Sequence, residues 1–366
     1  MPLILALLAL PSFNLVQYEK PRVVAQADQA MHDTPHTIVS AVNPRSEGDY
    51  WWPNPANPDG PYIQRDGLTN PDNFVAHRTL LLAFTRDFDA EAAAYLITKD
   101  EKYAQAATAQ LLAWFVDAAT RMNPNLEYAQ AITHLNKGRS IGVIDTLHLA
   151  EVARGVEVLR ESKALTKEDD AAVTGWFREY LHWLTTSQNG LGESRATNNH
   201  GTCWVLQAAA FAHLVGDAQT LDACRQRFKA VLLPGQMAPD GSFPQELART
   251  KSYGYSIFNL DVMTALAELL STPEQNLMTY TLPDGRSLVK GVAFMAPYLA
   301  DKSQWPKKPD VMYWNDWPVR QPALIFGALA SGNETWLKTW EALNPDPTVP
   351  EIRRNFPIRQ PVLWVR

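Results

Sequence analysis

The chain is short of cysteine, of positive charge and of long apolar runs, and each shortage narrows what it can be. Cys203 and Cys224 are its two cysteines among 366 residues. Both fall in stretches with helical spacing, so buried thiols are expected, and two thiols do not decide a redox compartment. A net charge of −6 and a pI near 5.8 leave no basic field. Nucleic acid is therefore not an expected ligand, and a polyanionic one would have to meet local positive charge. The apolar stretch Met1–Leu10 is too short to span a bilayer, so no membrane partner is expected. It also lacks the positive start and small-residue cleavage site of a complete export signal. Residues 1–17 are read as a signal remnant or a first helix, with a periplasmic or secreted location expected. No Cys-x-x-Cys pair, Gly-rich phosphate loop, nucleophile elbow or dinucleotide fingerprint occurs, and the eight histidines are scattered. No catalytic metal and no cofactor are expected.

What is present is helical. Val23–His32, Phe74–Phe84, Ala90–Lys99, Tyr103–Asp117, Ile141–Glu161, Lys167–Thr185, Asn199–Val215, Ala218–Leu232, Tyr255–Leu270, Leu288–Leu299, Gln321–Ala330 and Glu334–Leu343 carry apolar residues at helical spacing. No comparable stretch alternates as a strand does. Short links such as Gly216-Asp217 predict hairpins, and antiparallel hairpins predict an all-α fold: an (α/α) toroid or incomplete barrel with inner loops around a cleft. Residues 18–366 show no inter-domain linker, so one barrel domain and a monomer are expected. Glu47–Gly67 is punctuated by prolines and glycines that bar a regular helix. With its aromatics it is expected as an ordered lid or cleft wall, or as a plug in which Trp51 and Trp52 fill the end of the barrel.

Two stretches carry the chemistry. Thr197-Asn198-Asn199-His200-Gly201-Thr202 sets amides beside an imidazole, and Arg249 stands six positions before Tyr255. A uronic acid bonded through O4 has a C5 proton alpha to its carboxylate. That proton is hardly acidic until the carboxylate's charge is neutralised, which amide and guanidinium donors do. Asn199 and Arg249 suit that task, with Asn198 as a partner. In β-1,4-linked D-mannuronate and D-glucuronate, H5 and O4 share one side of the ring, so a single group can act as base and then acid. Tyr255 is assigned that part, its phenolate favoured by Arg249 and His200. In L-guluronate the two lie on opposite faces, and His200 would be the base. Tyr253 is the rival acid. Trp51, Trp52, Gln64, Arg65, Tyr128, Gln130, Arg139 and Arg320, from polar and aromatic loops, are the further candidates for holding an acidic polysaccharide.

Each residue also has a plainer reading. A histidine in a helical protein is commonly a satisfied structural group, a tyrosine opening an apolar helix is commonly core, and Arg249 could simply pair with Glu246. A glycoside hydrolase on a similar barrel would need two opposed carboxylates, and Glu193, Asp240, Glu246 and Asp316 offer no pair that spacing can justify. A non-catalytic acidic-glycan binding protein is the third reading.

Asp49-Tyr50-Trp51-Trp52-Pro53, Asn198-Asn199-His200-Gly201 and Glu246-Leu247-Ala248-Arg249 with Tyr255 together resemble the alginate lyase superfamily of polysaccharide lyases. The spacing of 55 between His200 and Tyr255 is most similar to the branch that cleaves glucuronan (cellouronate) or alginate. The resemblance implies an (α/α) barrel, export from the cytoplasm, no obligatory metal, and Asn199, His200, Arg249 and Tyr255 as the catalytic set. It also implies Glu193 as a site residue orienting the imidazole.

Overall fold

The computed structural model describes residues 13–43 and 45–365. The stretch Met1–Leu10, read as a signal remnant, lies outside the described residues. Among the described residues, fifteen α-helices follow in order: α1 (Leu15–Ala30), α2 (Ala76–Thr98), α3 (Glu101–Leu111), α4 (Leu149–Leu159), α5 (Lys167–Thr186), α6 (Gln188–Ser194), α7 (Asn199–Val215), α8 (Ala218–Arg227), α9 (Leu233–Gln236), α10 (Pro244–Leu247), α11 (Ser252–Leu270), α12 (Leu288–Ala300), α13 (Pro322–Ser331), α14 (Glu334–Ala342) and α15 (Pro350–Arg354).

Local chemistry sets the limits that matter for the site. The Asn198 side chain accepts from the backbone N–H of His200 and caps α7, and Gly216, at φ 77°, ends it in the left-handed conformation that glycine adopts without penalty. Asp217 then caps α8 by accepting from the N–H of Thr220. The start of α7 is thereby fixed where the amides and the imidazole must project.

Helices α2, α4, α7, α11 and α13 stand side by side as an inner row, with α1, α3, α5, α8, α12 and α14 packed outside them. The inner α7, α11 and α13 are apolar or small on nearly every face, as helices without a solvent side must be. The first and last helices of the outer layer meet. The Tyr18 ring on α1 lies 5.4 Å from that of Trp340 on α14, and Arg320 donates to Glu19 at 3.0 Å. The C-terminal segment seals the joint, since buried Glu151 on α4 accepts from the backbone N–H groups of Arg359 and Gln360 and from the indole of Trp364. The fold is thus the expected helical barrel, and no helix among the described residues is long and apolar enough to cross a membrane.

Several local expectations are corrected. The two helices predicted over Phe74–Phe84 and Ala90–Lys99 are one, α2; the acids between them do not break it because Asp87 and Asp89 are buried against His36 and Arg359. Helix α1 starts at Leu15, earlier than predicted, under an Asn14 cap, and carries Pro21 within it. Ile141–Glu161 splits, with tight 3₁₀ turns over Ser140–Thr146 leading into α4. The Pro-rich loop, predicted without strands, folds back as a two-stranded ribbon of β1 (Trp51–Trp52) and β2 (Ile63–Gln64). Short helices α6, α9, α10 and α15 lie where no helix was predicted. Cys203 and Cys224 are buried free thiols.

Candidate active site

The Pro-rich loop covers one mouth of the barrel and encloses a cavity of about 390 Å³ against the starts of α7 and α11. Asn198, Asn199, His200, Arg249 and Tyr255 line it together with Trp51, Gln64, Gln130 and Arg139. Two stretches some fifty residues apart in the chain therefore share one wall.

Each of these side chains is held. Asn199, buried at the first position of α7, donates from Nδ2 to Oε2 of Glu246 at 2.8 Å, and its backbone N–H reaches Oε1 at 2.8 Å. That leaves its second amide hydrogen for a ligand. Burial raises the Glu246 carboxyl's pKa, partly offset by these donors from Asn199. His200 Nδ1 meets Oε1 of buried Glu193 at 2.5 Å. A ring whose Nδ1–H is taken by a carboxylate keeps Nε2 for other partners. Arg249 gives Nε and Nη2 to Asp66, at 3.2 and 2.5 Å, and Nη2 also reaches the Tyr255 hydroxyl at 3.2 Å. The Tyr255 hydroxyl lies 2.6 Å from that of Tyr50.

Burial, and then the adjacent Tyr50, push the Tyr255 phenol well above its ordinary range, against the downward pull of Lys251 and Arg249. Of the two groups expected to favour the phenolate, Arg249 does pull it down, Lys251 joins it where His200 was expected, and burial outweighs both. Without substrate, desolvation wins and the phenol keeps its proton.

Arg139 donates to the carbonyl of Gln130 at 2.8 Å and to its Oε1 at 3.1 Å, while Gln130 Nε2 donates to Asp145 at 2.8 Å. These contacts hold Gln130 at φ 50°, a left-handed conformation uncommon outside glycine. The Arg139 guanidinium lies 5.6 Å from the Trp51 ring centre, and burial lowers its pKa.

Not every candidate reaches the cavity. Tyr253 is fully buried and spends its hydroxyl on the carbonyl of Tyr298, so the rival acid faces away from the site. Arg320 is held across the barrel seam by Glu19 and Trp340. Trp52 donates to the carbonyl of Leu68 and carries Arg65 above its ring at 5.2 Å, and neither lines the cavity. Tyr128 is exposed and borders a separate cavity with Arg121 and Asn125.

Residues not singled out in the sequence complete the wall. Asp49, at its floor, takes Arg78 at 3.0 and 2.5 Å and Arg354 at 2.9 Å. Burial opposes its charge, but Arg354 and Arg78 hold the carboxyl far below its usual range. Asp66 likewise resists partial burial because Arg249 and Thr250 donate to it, and it stays low. Gly67 lets the loop press close: a Cβ there would sit 2.3 Å from the Thr250 hydroxyl, and its φ is +76°. The signal for Tyr50 and Asp66 was their place in the aromatic loop, but nothing local says which loop residue turns inward. Among the described residues, the Asp33, His36 and Asp87 ligand atoms lie within 4.8 Å of one another, yet outside this cavity, and Arg86 already spans both acids.

A helical barrel closed by an aromatic loop over amide, imidazole, guanidinium and phenol groups defines the class of helical polysaccharide lyases. The sequence profile described as alginate lyase matches residues 31–305, and the chain belongs to that family. An alginate lyase from Bacteroides ovatus is 31% identical, with 95% of this chain and 97% of that one covered and a TM-score of 0.81. Alginate lyase A1-III from Sphingomonas species A1 shares the fold at 17% identity, with 86% and 85% covered and a TM-score of 0.54. A variant of A1-III complexed with tetrasaccharide gives 18% identity, 85% and 84% coverage and a TM-score of 0.55. Comparison with curated proteins returns no match. The chain is a polysaccharide lyase.

Proposed function

We propose that the protein cleaves β-1,4-linked polyuronate, glucuronan first and mannuronate-rich alginate beside it, by syn β-elimination with Tyr255 moving the proton. The observation that carries this reading is the state of the cavity's guanidinium groups. Arg249 is committed to Asp66, and Arg354 to Asp49 and Glu351. Arg139 meets the neutral Gln130 and has no ion pair among the described residues. With Nε2 of His200 left as an acceptor beside them, Arg139 with charge to give and the remaining amide hydrogen of Asn199 meet a sugar carboxylate entering here. Together these donors replace the lost hydration of the anion and stabilise the enolate-like state that follows loss of H5. Tyr255, ionised to the phenolate once its own proton has passed to solvent, takes H5 and returns it to O4 on the same face as the C4–O4 bond breaks, leaving a 4,5-unsaturated uronic acid end.

The hydrolase reading loses its chemistry at the same site. Among the described residues, the carboxylates lining the cavity are Asp49 and Asp66, both ion-paired and held low, so neither can supply the protonated acid that glycoside hydrolysis requires. Glu193 and Glu246 stand behind His200 and Asn199 and are spent on them. A polymeric acidic substrate also fits the proposed periplasmic or secreted location.

Mannuronate and glucuronate differ at C2, away from the broken bond, so parallel initial rates on glucuronan, polymannuronate and polyguluronate decide between them. Growth of the conjugated product's ultraviolet absorbance is expected on the first two. Tyr255→Phe is expected to lower kcat by about 10²–10⁴-fold with KM little changed. Absence of that absorbance on all three polymers sinks the proposal.

A further inference from the structure

Lys251 does not line the cavity, yet its ammonium lies beside the ring of Tyr255. It precedes α11, is 6% exposed, and gives Nζ to Oε1 of Glu351 at 2.9 Å. The same nitrogen lies 5.1 Å from the ring centre of Tyr50, 5.4 Å from that of Tyr255 and 5.3 Å from that of Tyr313. An ammonium removed from water needs a partner. Glu351 is one, but Arg354 shares that carboxylate at 3.3 Å and then turns to Asp49, which Arg78 also holds. The run Lys251, Glu351, Arg354, Asp49, Arg78 alternates in sign with a cation at each end. Asp145 stands 3.5 Å from the Arg78 end, and the Lys251 end lies among tyrosines.

We propose that Lys251 is a positioning residue for the elimination: its buried ammonium, anchored by Glu351, lies close to both rings of the hydrogen-bonded Tyr50–Tyr255 pair and makes the Tyr255 phenolate attainable. This rests on the reading of Tyr255 as the proton carrier. Three ring faces orient toward one cation because their negative potential favours it, and this sets the rings so that the two hydroxyls meet at 2.6 Å. When Tyr255 gives up its proton, Tyr50 can donate to the new anion, and Lys251 adds a charge that screening by water does not weaken.

The other ionisable groups around Tyr255 come from every neighbouring element. Asp49, Tyr50 and Asp66 come from the loop, and Arg249 from the segment entering α11. Asp310 and Tyr313 come from the segment before α13, Glu351 and Arg354 from α15, His200 with Glu193 from α7 and α6, and Arg139 from the segment before α4. Of the cations, Arg249 is balanced directly by Asp66 on the cavity side. Lys251 and Arg249 both pull the Tyr255 phenol down against burial.

Three variants test the proposal: Lys251→Arg, Lys251→Met, and Lys251→Met with Glu351→Gln, the last so that no buried carboxylate is orphaned if the single variant fails to fold. On whichever polyuronate the wild type cleaves, the ascending limb of kcat/KM against pH is expected to move up by about one pH unit in the methionine variants. That is about a tenfold loss at neutral pH, recovered as pH rises. Lys251→Arg is expected to keep the wild-type profile, and KM is expected to change less than about twofold. A loss equal at every pH, with the limb in place, overturns the proposal. A second arm needs no substrate. In protein made with fluorinated tyrosine, whose phenols ionise at lower pH, the fluorine resonance of residue 255 is assigned by its loss in Tyr255→Phe. Its titration midpoint is expected to be higher in the double variant than in wild type. An unchanged midpoint overturns the role of Lys251 even if the wild type cleaves polyuronate, whereas a raised midpoint supports it even if no polyuronate is cleaved.

Discussion

Asp66 and Arg249 are 183 positions apart in the chain, yet two guanidinium nitrogens of one meet the carboxylate of the other. The Thr250 hydroxyl donates to the same carboxylate at 3.0 Å. This contact fastens the Pro-rich loop to the segment that enters α11, and it holds Arg249 against the Tyr255 hydroxyl.

Asp66→Asn keeps an acceptor oxygen and loses the charge. The pair is partly exposed, so its loss is expected to cost stability by about 1 kcal/mol or less, visible as a small drop in Tm. The larger effect is expected in kcat, about tenfold, because Arg249 is no longer fixed beside the phenol. An unaltered kcat would show that the loop need not be latched for turnover.

Arg139→Ala removes the guanidinium that, among the described residues, meets no carboxylate. Charge-assisted hydrogen bonds contribute about 1.5–3 kcal/mol, so KM is expected to rise by about ten- to a hundredfold. Because the lost contact is electrostatic, KM should also become less sensitive to salt. Steady-state kinetics at two ionic strengths check both. Arg139→Lys should recover only part, since a point charge cannot reproduce the planar fork.

Glu193→Gln keeps the shape behind His200 but can offer the imidazole an N–H where a carboxylate stood. The ring then loses its fixed tautomer, and Nε2 is no longer reliably free toward the cavity. A fall in kcat of about ten- to a hundredfold is expected with Tm nearly unchanged. If kcat holds while Tm drops, Glu193 serves the fold and not the imidazole.

Glu91 tests the electrostatics of the barrel away from the site. It is buried on α2, its Oε2 meets no partner, and burial followed by the charges of Asp87 and Asp33 pushes its carboxyl up to about 8. An unfolded glutamate titrates near about 4.3. The folded state therefore holds a proton that the unfolded state releases between these values, and stability falls as pH rises from about 4 to about 8. Glu91→Gln cannot ionise and is expected to flatten that slope. Tm measured across the window should show the variant gaining on wild type toward pH 8, and parallel curves would refute the assignment.

Much of the scaffold could be read from the chain because helix formation is written locally. The apolar spacing over Asn199–Val215, with an asparagine before it and a glycine after it, gives α7 with its observed limits. The same locality made Asn199, His200, Arg249 and Tyr255 visible as two short motifs. It failed where short helices carry no period to detect. Helices α6, α10 and α15 were missed, and they bear Glu193, Glu246, Glu351 and Arg354, the groups that hold the visible residues in place. Local pattern also could not separate Tyr253 from Tyr255. Two positions on a helix differ in direction by about 200°, so only the packing of α11 decides that one phenol reaches the Tyr298 carbonyl and the other the cavity. Nor could it show that Asp66 and Tyr50 turn inward or that Lys251 lies among three rings, because those contacts join segments whose meeting depends on closure of the whole ring of helices. Sequence alone determined the helices and the chemical identities of the reacting groups. Tertiary structure decided which of them face one another, because ion pairs and phenol contacts depend on distance in space while periodicity records only distance along the chain.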